Sequence, residues 1–383
     1  MSILAIIVGT AALILVLSVF NGFEGLVKSL YSSFYTDLKV SAASGKVINI
    51  SPEQIARLKT VKGIRNFALV VEEKALLQNG ENQSVIHLKG VDENYRYITG
   101  VADNIMDGEY NIGKPDSPRL VLGVGVEGAL QISADAYATP LRIYLPRKSN
   151  TQQLNMLEDI SSSSAAFSGS FRIQQDFDNK YGITNIDFVK HAMKMGPAEF
   201  NAVEIAVADP DQTPEIKKEV KKIFGDNYLV QNKYEQNRSL YSIMNVERWV
   251  IYGILCLILV VAAFNMIGSL TMLVLEKQKD ISVLHAMGAG RGFIQKVFLS
   301  EGLLLALIGG GIGMVLALVV ALLQIKYHII PLQGGSFLIN YFPVQLKWGD
   351  FLLVGATVFF IALLASWLPS RKAASAEFSL RSE

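Results

Sequence analysis

The chain has 383 residues, a formal net charge of +1 and 51% hydrophobic residues. A net charge so close to zero gives no reason to expect a nucleic acid as partner. The single cysteine, Cys256, excludes an intrachain disulfide, and the four histidines are too scattered to suggest a zinc site.

The mean hydropathy of +0.33 is high for a soluble globular protein, and the excess lies in four apolar runs. These runs are Ser2–Phe20, Trp249–Leu275, Val297–Leu323 and Phe351–Leu368. A hydrocarbon core of about 30 Å needs about 20 apolar residues in a helix, so each run is long enough to span a bilayer. The first run has no basic segment before it and no small-residue cleavage site after it, which favours an uncleaved anchor over a signal peptide.

Lysine and arginine residues in the short connections set the predicted orientation. The second and third runs are joined by a loop that carries Lys277, Lys279, Arg291 and Lys296, and the C-terminal tail carries Arg371, Lys372 and Arg381. The loop between the third and fourth runs carries only Lys326 and Lys347. The positive-inside rule therefore places the first loop and the tail in the cytoplasm, and the large polar region before the second run outside.

The helices that flank the polar region continue beyond the apolar runs without a proline. A helix from Ser2 to Tyr35 would be about 50 Å long, which exceeds the hydrocarbon core, so we predict that both helices project from the lipid as a stalk. The predicted stalk residues recur at helical spacing; they are Phe23, Leu26, Val27, Leu30, Tyr31, Leu240, Tyr241 and Met244. A bent helix on the lipid headgroups is the alternative.

The polar region opens and closes with similar α/β patterns. The first pattern predicts strands at Asp37–Ala42, Ile64–Leu77 and Ser84–Val91 and a helix at Pro52–Leu58; the second predicts strands at Ala202–Ala208 and Asn227–Gln231 and a helix at Pro214–Phe224. Residues 92–201 between them are less regular, and the run Ser161–Ser164 predicts a flexible loop. This organisation suggests a discontinuous subdomain, 36–91 with 202–235, and an inserted subdomain at 92–201.

The loop between the second and third spans, residues 276–296, is more than a simple turn. Ile281, Leu284 and Met287 recur at three-residue spacing, which predicts a helix, and Gly288 and Gly290 then end it. Apolar side chains outside the membrane stay in water unless something covers them. A docking partner on this helix is therefore the first hypothesis.

Two glycine patterns favour structural explanations. Gly123, Gly125 and Gly128 match GxGxxG, but the next predicted strand does not end in the acidic residue that a dinucleotide site needs, which favours a turn. The segment 309–313, with Ala317 and Ala321, puts small residues on one helix face, which is typical of close helix packing, more often within a chain than between copies. The sequence contains no P-loop, HExxH or CxxC motif.

Several segments resemble the permeases of lipoprotein-releasing ABC transporters, and more broadly the FtsX/MacB permease superfamily. They are residues 8–24, which end in Asn21-Gly22-Phe23-Glu24, and residues 261–267, 276–289, 298–303 and 369–374. The resemblance covers all four spans and the overall arrangement, whereas the outer region matches only in outline. Family members usually begin with a cytosolic amphipathic segment before the first span, and this sequence begins at the apolar run.

The resemblance implies a membrane protein with four transmembrane helices and an α+β extracytoplasmic domain, of the MacB-like, porter-type kind with an inserted subdomain, on a helical stalk. Its parts would be a first span with stalk (1–35), the outer domain (36–235), a stalk with the second span (236–275), a coupling loop (276–296), the third and fourth spans (297–371) and a cytoplasmic tail (372–383). The implied location is the bacterial inner membrane, with the large domain in the periplasm.

The resemblance also implies the function of a permease subunit that is not itself an enzyme and holds no cofactor of its own. A cytoplasmic ABC ATPase would bind ATP and Mg²⁺, and the other implied partners are a second permease copy or a paralogue, membrane lipid, a lipoprotein and a periplasmic carrier. The implied ATPase-coupling helix comprises Lys279, Asp280, Ile281, Leu284, His285, Met287, Gly288 and Arg291. Export of peptides or drugs, and activation of a cell-wall hydrolase by the outer domain, are the rival functions.

Overall fold

The computed structural model describes residues 2–132, 140–147, 160–332 and 341–374. The chain divides into two compact units. Of the described residues, 2–26, 242–332 and 341–374 form the helical unit, and 27–132, 140–147 and 160–241 form the α/β unit. Most of the predicted cytoplasmic tail, from residue 375 onward, lies outside the described residues.

The secondary structure alternates between long helices and a strand-rich central region. The helices are α1 (Ser2–Phe34), α2 (Pro52–Thr60), α3 (Val124–Ala129), α4 (Gln175–Asp178), α5 (Ile186–Met193), α6 (Thr213–Phe224), α7 (Lys233–Gln236), α8 (Arg238–Glu276), α9 (Gln278–Ala286), α10 (Arg291–Tyr327) and α11 (Trp348–Ala374). The strands are β1 (Leu38–Ala42), β2 (Ile48–Asn49), β3 (Ile64–Asn79), β4 (Asn82–Val91), β5 (Ile105–Gly108), β6 (Gly113–Lys114), β7 (Ser117–Gly123), β8 (Leu141–Pro146), β9 (Ile160–Phe171), β10 (Tyr181–Asn185), β11 (Glu199–Phe200), β12 (Ala202–Val207) and β13 (Tyr228–Asn232).

Four described helices, α1, α8, α10 and α11, are long and apolar enough to cross a membrane, which confirms the four predicted spans. The helix predicted from Ser2 to Tyr35 is confirmed, because α1 runs without a break to Phe34. The second flanking helix, α8, begins at Arg238, where Asn237 leaves helical geometry with φ −121° and ψ 36°. That α1 and α8 stand out of the lipid as a stalk stays a prediction.

The helical unit has its core between the four long helices. Leu13 and Leu17 of α1 are buried with Met266 of α8 and Val354 of α11. The small residues of α10 pack within the chain, as predicted: a Cβ on Gly313 would lie 2.7 Å from the carbonyl oxygen of Ile7. Close backbone approach to α1 is thus the reason for small side chains on this face.

A single sheet of eleven strands forms the centre of the α/β unit, in the order β13-β1-β12-β3-β4-β10-β7-β9-β5, with β6 and β8 attached at its sides. β12 lies antiparallel between β1 and β3, and β1 lies antiparallel between β12 and β13. With α2 and α6 as the crossovers, these strands form two interlocked split βαβ units. The strands β10, β7, β9 and β5 continue the same sheet beyond β4, whereas β11 pairs with β2 in a separate two-stranded sheet. The division into two subdomains stays a prediction.

The two faces of the sheet differ in what covers them. Alternate residues such as Leu38, Leu88 and Ile205 face a large apolar core shared with α2, α5 and α6. The opposite face carries a smaller cluster that includes Phe34, from the end of α1, and Phe177. This second face also carries charged residues.

Two features of the region 92–201 correct or sharpen the sequence analysis. The loop predicted at Ser161–Ser164 is wrong, because these serines lie in β9 and pair antiparallel with β8. A serine run indicates a loop only through its composition. Here the neighbouring strand supplies hydrogen-bond partners for the backbone of the serines, so the segment is a strand. Gly123 ends β7 and directly precedes α3, and a Cβ there would collide with the backbone of Asp178, which gives this glycine a packing role; that the glycine pattern is only structural stays a prediction.

Candidate functional site

The helix predicted between the second and third spans exists as α9, between α8 and α10; its coupling role stays a prediction. The helix ends at the predicted glycine: Gly288 adopts φ +94°, a backbone conformation that would be strained in a residue with a side chain. The amide of Ala289 donates to the carbonyl of Leu284 at 2.9 Å, and the amide of Gly288 donates to that of His285 at 3.0 Å. These bonds satisfy the last carbonyls of the helix and turn the chain toward α10.

One apolar residue of this helix is covered by the chain itself. Ile281 is only 3% exposed and packs with Val274 of α8, Ile294 and Phe298 of α10 and Ala373 of α11. The expectation that Ile281 belongs to an uncovered stripe is therefore wrong. The physical reason is that α9 lies against the ends of three long helices, so one side of it faces their core.

The uncovered part of α9 is formed by neighbouring positions. Met287 is 79% exposed, Val283 is 59% exposed and Leu284 is 37% exposed. Phe293, in the first turn of α10, is also exposed. We name Val283, Leu284 and Met287 the apolar edge of α9. Sequence reasoning missed Val283 and Phe293, because a three-residue spacing alone does not tell which side of a helix faces the protein.

Charged residues surround the apolar edge. Lys279, Asp280 and Arg291 are exposed, and His285 is half-buried. Lys277 Nζ lies 3.0 Å from Asp280 Oδ2, and this hydrogen bond raises the pKa of Lys277 above its ordinary value. An apolar edge with mixed charges at its border matches the anatomy of a protein interface, with an apolar centre and a polar rim.

A buried polar cluster joins three membrane helices, which sequence reasoning missed. Asp350 of α11 is 2% exposed and accepts hydrogen bonds from Asn21 of α1 and Arg248 of α8. Next to Asn21, a Cβ on Gly22 would overlap the carbonyl of Pro343, so this position has no room for a side chain. The sequence does contain a signal for this cluster, because the ionisable residues Arg248 and Asp350 each directly precede an apolar run.

The C-terminal end of α1, from Val27 onward, belongs to the α/β unit. Phe34 is fully buried there, and its ring stacks on Phe177 with 4.3 Å between centroids. Lys28 Nζ lies 5.6 Å from the ring centre of Tyr241, so α1 and the start of α8 meet in this unit. Leu30 is buried, and the other predicted stalk residues are half-buried; they are Phe23, Leu26, Val27, Tyr31, Leu240, Tyr241 and Met244.

Comparison with known protein families gives a match in the N-terminal part of the chain and another in the C-terminal part. Residues 252–378, which hold α9 and the last two spans, match the FtsX-like permease C-terminal family, and residues 1–140 match the MacB-like periplasmic core domain. The chain is thus similar to FtsX-like permeases in its C-terminal part and to MacB-like proteins in its N-terminal part. It is a membrane permease with four transmembrane helices and a MacB-like α/β domain, as the resemblance implied.

Curated relatives extend the similarity to almost the whole permease. It is 25% identical over 392 residues to the lipoprotein-releasing system transmembrane protein LolC of Xylella fastidiosa, covering 97% of this chain and 90% of the relative. It is 24% identical over 385 residues to the lipoprotein-releasing system transmembrane protein LolE of Haemophilus influenzae, covering 97% of this chain and 91% of the relative. Among solved structures, the periplasmic region of MacB from Actinobacillus actinomycetemcomitans aligns with a TM-score of 0.38 and 11% identity, covering 55% of this chain and 94% of that one.

Proposed function

We propose that this permease extracts lipoproteins from the outer leaflet of the bacterial inner membrane, as one subunit of an ABC transporter. The observation that carries the proposal is the similarity to LolC and LolE, which covers 97% of the chain and includes both units and the loop that holds α9. A likeness confined to the spans would support only a membrane anchor.

Coupling to a separate ATPase is the role we assign to α9. Each side chain of the apolar edge would contribute about 1.5–3 kcal/mol if fully buried, an upper bound from which the cost of association is subtracted. Ile281 fixes α9 to α8, α10 and α11 from the other side. A push on the apolar edge would therefore reach three membrane helices at once. Lys279 and Arg291 would steer an acidic partner surface toward it.

Transmission to the outer domain is the second part of the proposal. α1 and α8 are each continuous helices with residues in both units. A helix is stiff along its axis, so a displacement in the helical unit would move the α/β unit that holds Phe34. Cargo would then be moved by the outer domains of two permease subunits, handed to a periplasmic carrier, and never threaded through a pore.

Depletion of the permease followed by fractionation of the two membranes tests this function. We expect lipoproteins destined for the outer membrane to accumulate in the inner membrane, and a plasmid copy of the wild-type gene to restore their distribution. A Met287→Asp copy should fail to restore it although the protein is present at normal level. Normal lipoprotein distribution with a defect in cell separation would support hydrolase activation, and loss of peptide or drug efflux alone would support a different cargo.

A further inference from the structure

Three long helices of the helical unit each carry an exposed aromatic residue at one end. Trp249 begins the apolar run of α8, Tyr327 is the last residue of α10, and Trp348 is the first residue of α11. Trp348 is 84% exposed, and the other two residues are more than half exposed. Indole and phenol rings join a large apolar surface to a polar group, so they favour places where apolar and aqueous surroundings meet. We name these three residues the aromatic rim.

A basic residue directly precedes each ring of the aromatic rim. The pairs are Arg248-Trp249, Lys326-Tyr327 and Lys347-Trp348. Lys326 is exposed, and its Nζ lies 5.4 Å from the ring centre of Tyr327. Arg248 and Lys347 each lie beside a carboxylate, yet about a third of each side chain stays exposed. A guanidinium has five donors and an ammonium has three, so one carboxylate leaves donors for a further anion.

Contacts within the helical unit place the starts of α8 and α11 at the same level. Arg248 Nη2 lies 2.6 Å from Asp350 Oδ1, and Asp350 follows Trp348 by two positions. Lys347 Nζ lies 3.4 Å from Glu24 Oε2 of α1. The residues beside Trp249 and Trp348 are therefore joined to each other and to α1.

The end of α10 lies at this level as well. One turn before Tyr327, Gln324 Nε2 donates to the carbonyl of Phe342 at 3.2 Å. The ring of Phe342 lies 5.8 Å from that of Phe23, and Phe23 precedes Glu24 in α1. All three rings thus surround one end of the four-helix core.

The opposite end of α11 repeats the combination of a ring and a cation. Trp367 is half-exposed, and the guanidinium of Arg371 lies 5.7 Å from its ring centre. The helical rise from Trp348 to Trp367 is about 29 Å, which matches a hydrocarbon core of about 30 Å. A protein partner at one end would not require a second ring at this distance. The spacing therefore favours lipid as the neighbour of the rim.

We propose that the aromatic rim and the basic residues before its rings bind the headgroups of phospholipids. The rings lie at the level of the glycerol groups, and the cations of Arg248, Lys326 and Lys347 donate to the phosphates. Charge-assisted bonds of this kind are stronger than neutral ones. The ion pair of Arg248 with Asp350 then lies at the lipid surface, and the residues of α8 before Arg248 lie outside the hydrocarbon core. The rim needs neither an ATPase nor a cargo, so it goes beyond the function proposed above.

Fluorescence quenching by brominated lipids measures the depth of the rim. The sequence has three tryptophans, Trp249, Trp348 and Trp367, so each can be kept alone with phenylalanine at the other two positions. The full-length permease is reconstituted in vesicles of phosphatidylcholine and phosphatidylglycerol whose chains carry bromine near the headgroup or near the chain end. We expect bromine near the headgroup to quench Trp348 at least twofold more than bromine near the chain end, and Trp249 in the same direction.

The matched control is Phe360→Trp in a protein without other tryptophans, because Phe360 is an exposed residue in the middle of α11. Its fluorescence should be quenched most by bromine near the chain end. Three results for Trp348 would each overturn the proposal. Strongest quenching by bromine near the chain end would place it in the hydrocarbon core. Quenching by aqueous iodide alone would place it in water, and protection from both quenchers would show that a protein, such as a second copy, covers it.

The role of the phosphate is tested in detergent through the melting temperature of the full-length permease. Dioleoyl phosphatidylglycerol should raise the melting temperature, whereas dioleoylglycerol, which lacks the phosphate, and inorganic phosphate should not. Lys326→Gln with Trp348→Leu should reduce the rise at least twofold, and Lys326→Gln alone should reduce it in the same direction. Lys218→Gln removes an exposed lysine of α6 and should leave the rise unchanged. An equal rise with dioleoylglycerol, or an undiminished rise in both rim variants, would refute headgroup binding at the rim.

Discussion

Arg248 and Asp350 form an ion pair between two membrane-spanning helices, with 2.6 Å between Arg248 Nη2 and Asp350 Oδ1. Asp350 is the buried member, and Asn21 donates to its other carboxylate oxygen. One carboxylate thus links α1, α8 and α11. In the proposed mechanism, the three helices would move together because they share this link.

Arg248→Leu should destabilise the protein by roughly 3 kcal/mol, because it leaves the carboxylate of Asp350 buried without its positive partner. Thermal unfolding in detergent measures the effect. Arg248→Leu with Asp350→Asn should recover most of the loss, since the neutral amide still accepts from Asn21. If the double variant is as unstable as Arg248→Leu alone, the loss of stability does not come from the unpaired charge of Asp350.

Met287→Asp should detach the ATPase subunit without lowering the melting temperature, because Met287 is exposed and belongs to the apolar edge. Ile281→Asp should instead lower the melting temperature, since it places a carboxylate among Val274, Ile294 and Phe298. Co-purification of the ATPase and calorimetry of the permease measure the two effects. If the Met287→Asp protein still retains a cargo-stimulated ATPase, the coupling role of α9 is refuted.

Gly313→Ala should destabilise the helical unit by about 1–3 kcal/mol, because the added methyl group would lie 2.7 Å from the Ile7 carbonyl oxygen and 2.9 Å from Thr10 Cβ. Gly311→Ala is the matched control, since a Cβ there meets nothing within 4 Å. Alanine also favours helix over glycine, so the control should be neutral or slightly stabilising. Equal melting temperatures for the two variants would argue against close packing of α10 on α1.

A covalent link between the two flanking helices should block lipoprotein release if these helices transmit motion. Cysteines at Lys28 and Tyr241, which lie in contact, would be joined by a short bis-maleimide in a background with Cys256→Ala. Release by the linked transporter is compared with release by each single-cysteine protein after the same treatment. Full activity of a quantitatively linked transporter would show that α1 and α8 need not move relative to each other.

Acid should destabilise the α/β unit partly through Glu72. Burial raises the pKa of this carboxyl, but the hydrogen bond from His87 and the positive charges of Lys89 and Lys39 outweigh burial, so the pKa falls from an ordinary 4.5 to about 2 on folding. A lowered pKa means that the carboxylate contributes stability that is complete above about pH 4.5 and is lost as the pH falls toward 2. Glu72→Gln should therefore show a smaller fall in melting temperature between pH 6 and pH 3 than the wild type. Glu219→Gln, at an exposed position, should follow the wild-type curve.

Local patterns predicted most of the elements because each depends on nearby residues. Apolar runs of membrane length became α1, α8, α10 and α11, and the strands on either side of Asn79-Gly80 became β3 and β4. The loop prediction for the serine run of β9 was wrong, because this segment is a strand only through its pairing with β8, and that pairing leaves no signal in the serine run itself.

For the site, the sequence by itself determined that a helix ending at Gly288 follows the second span and that it carries apolar residues, since periodicity and glycine are local signals. Only the tertiary structure decided that Ile281 is covered while Val283 and Met287 are exposed, because exposure depends on where α8, α10 and α11 lie. The meeting of Asn21, Arg248 and Asp350 likewise arises from residues more than a hundred positions apart, which no spacing rule connects.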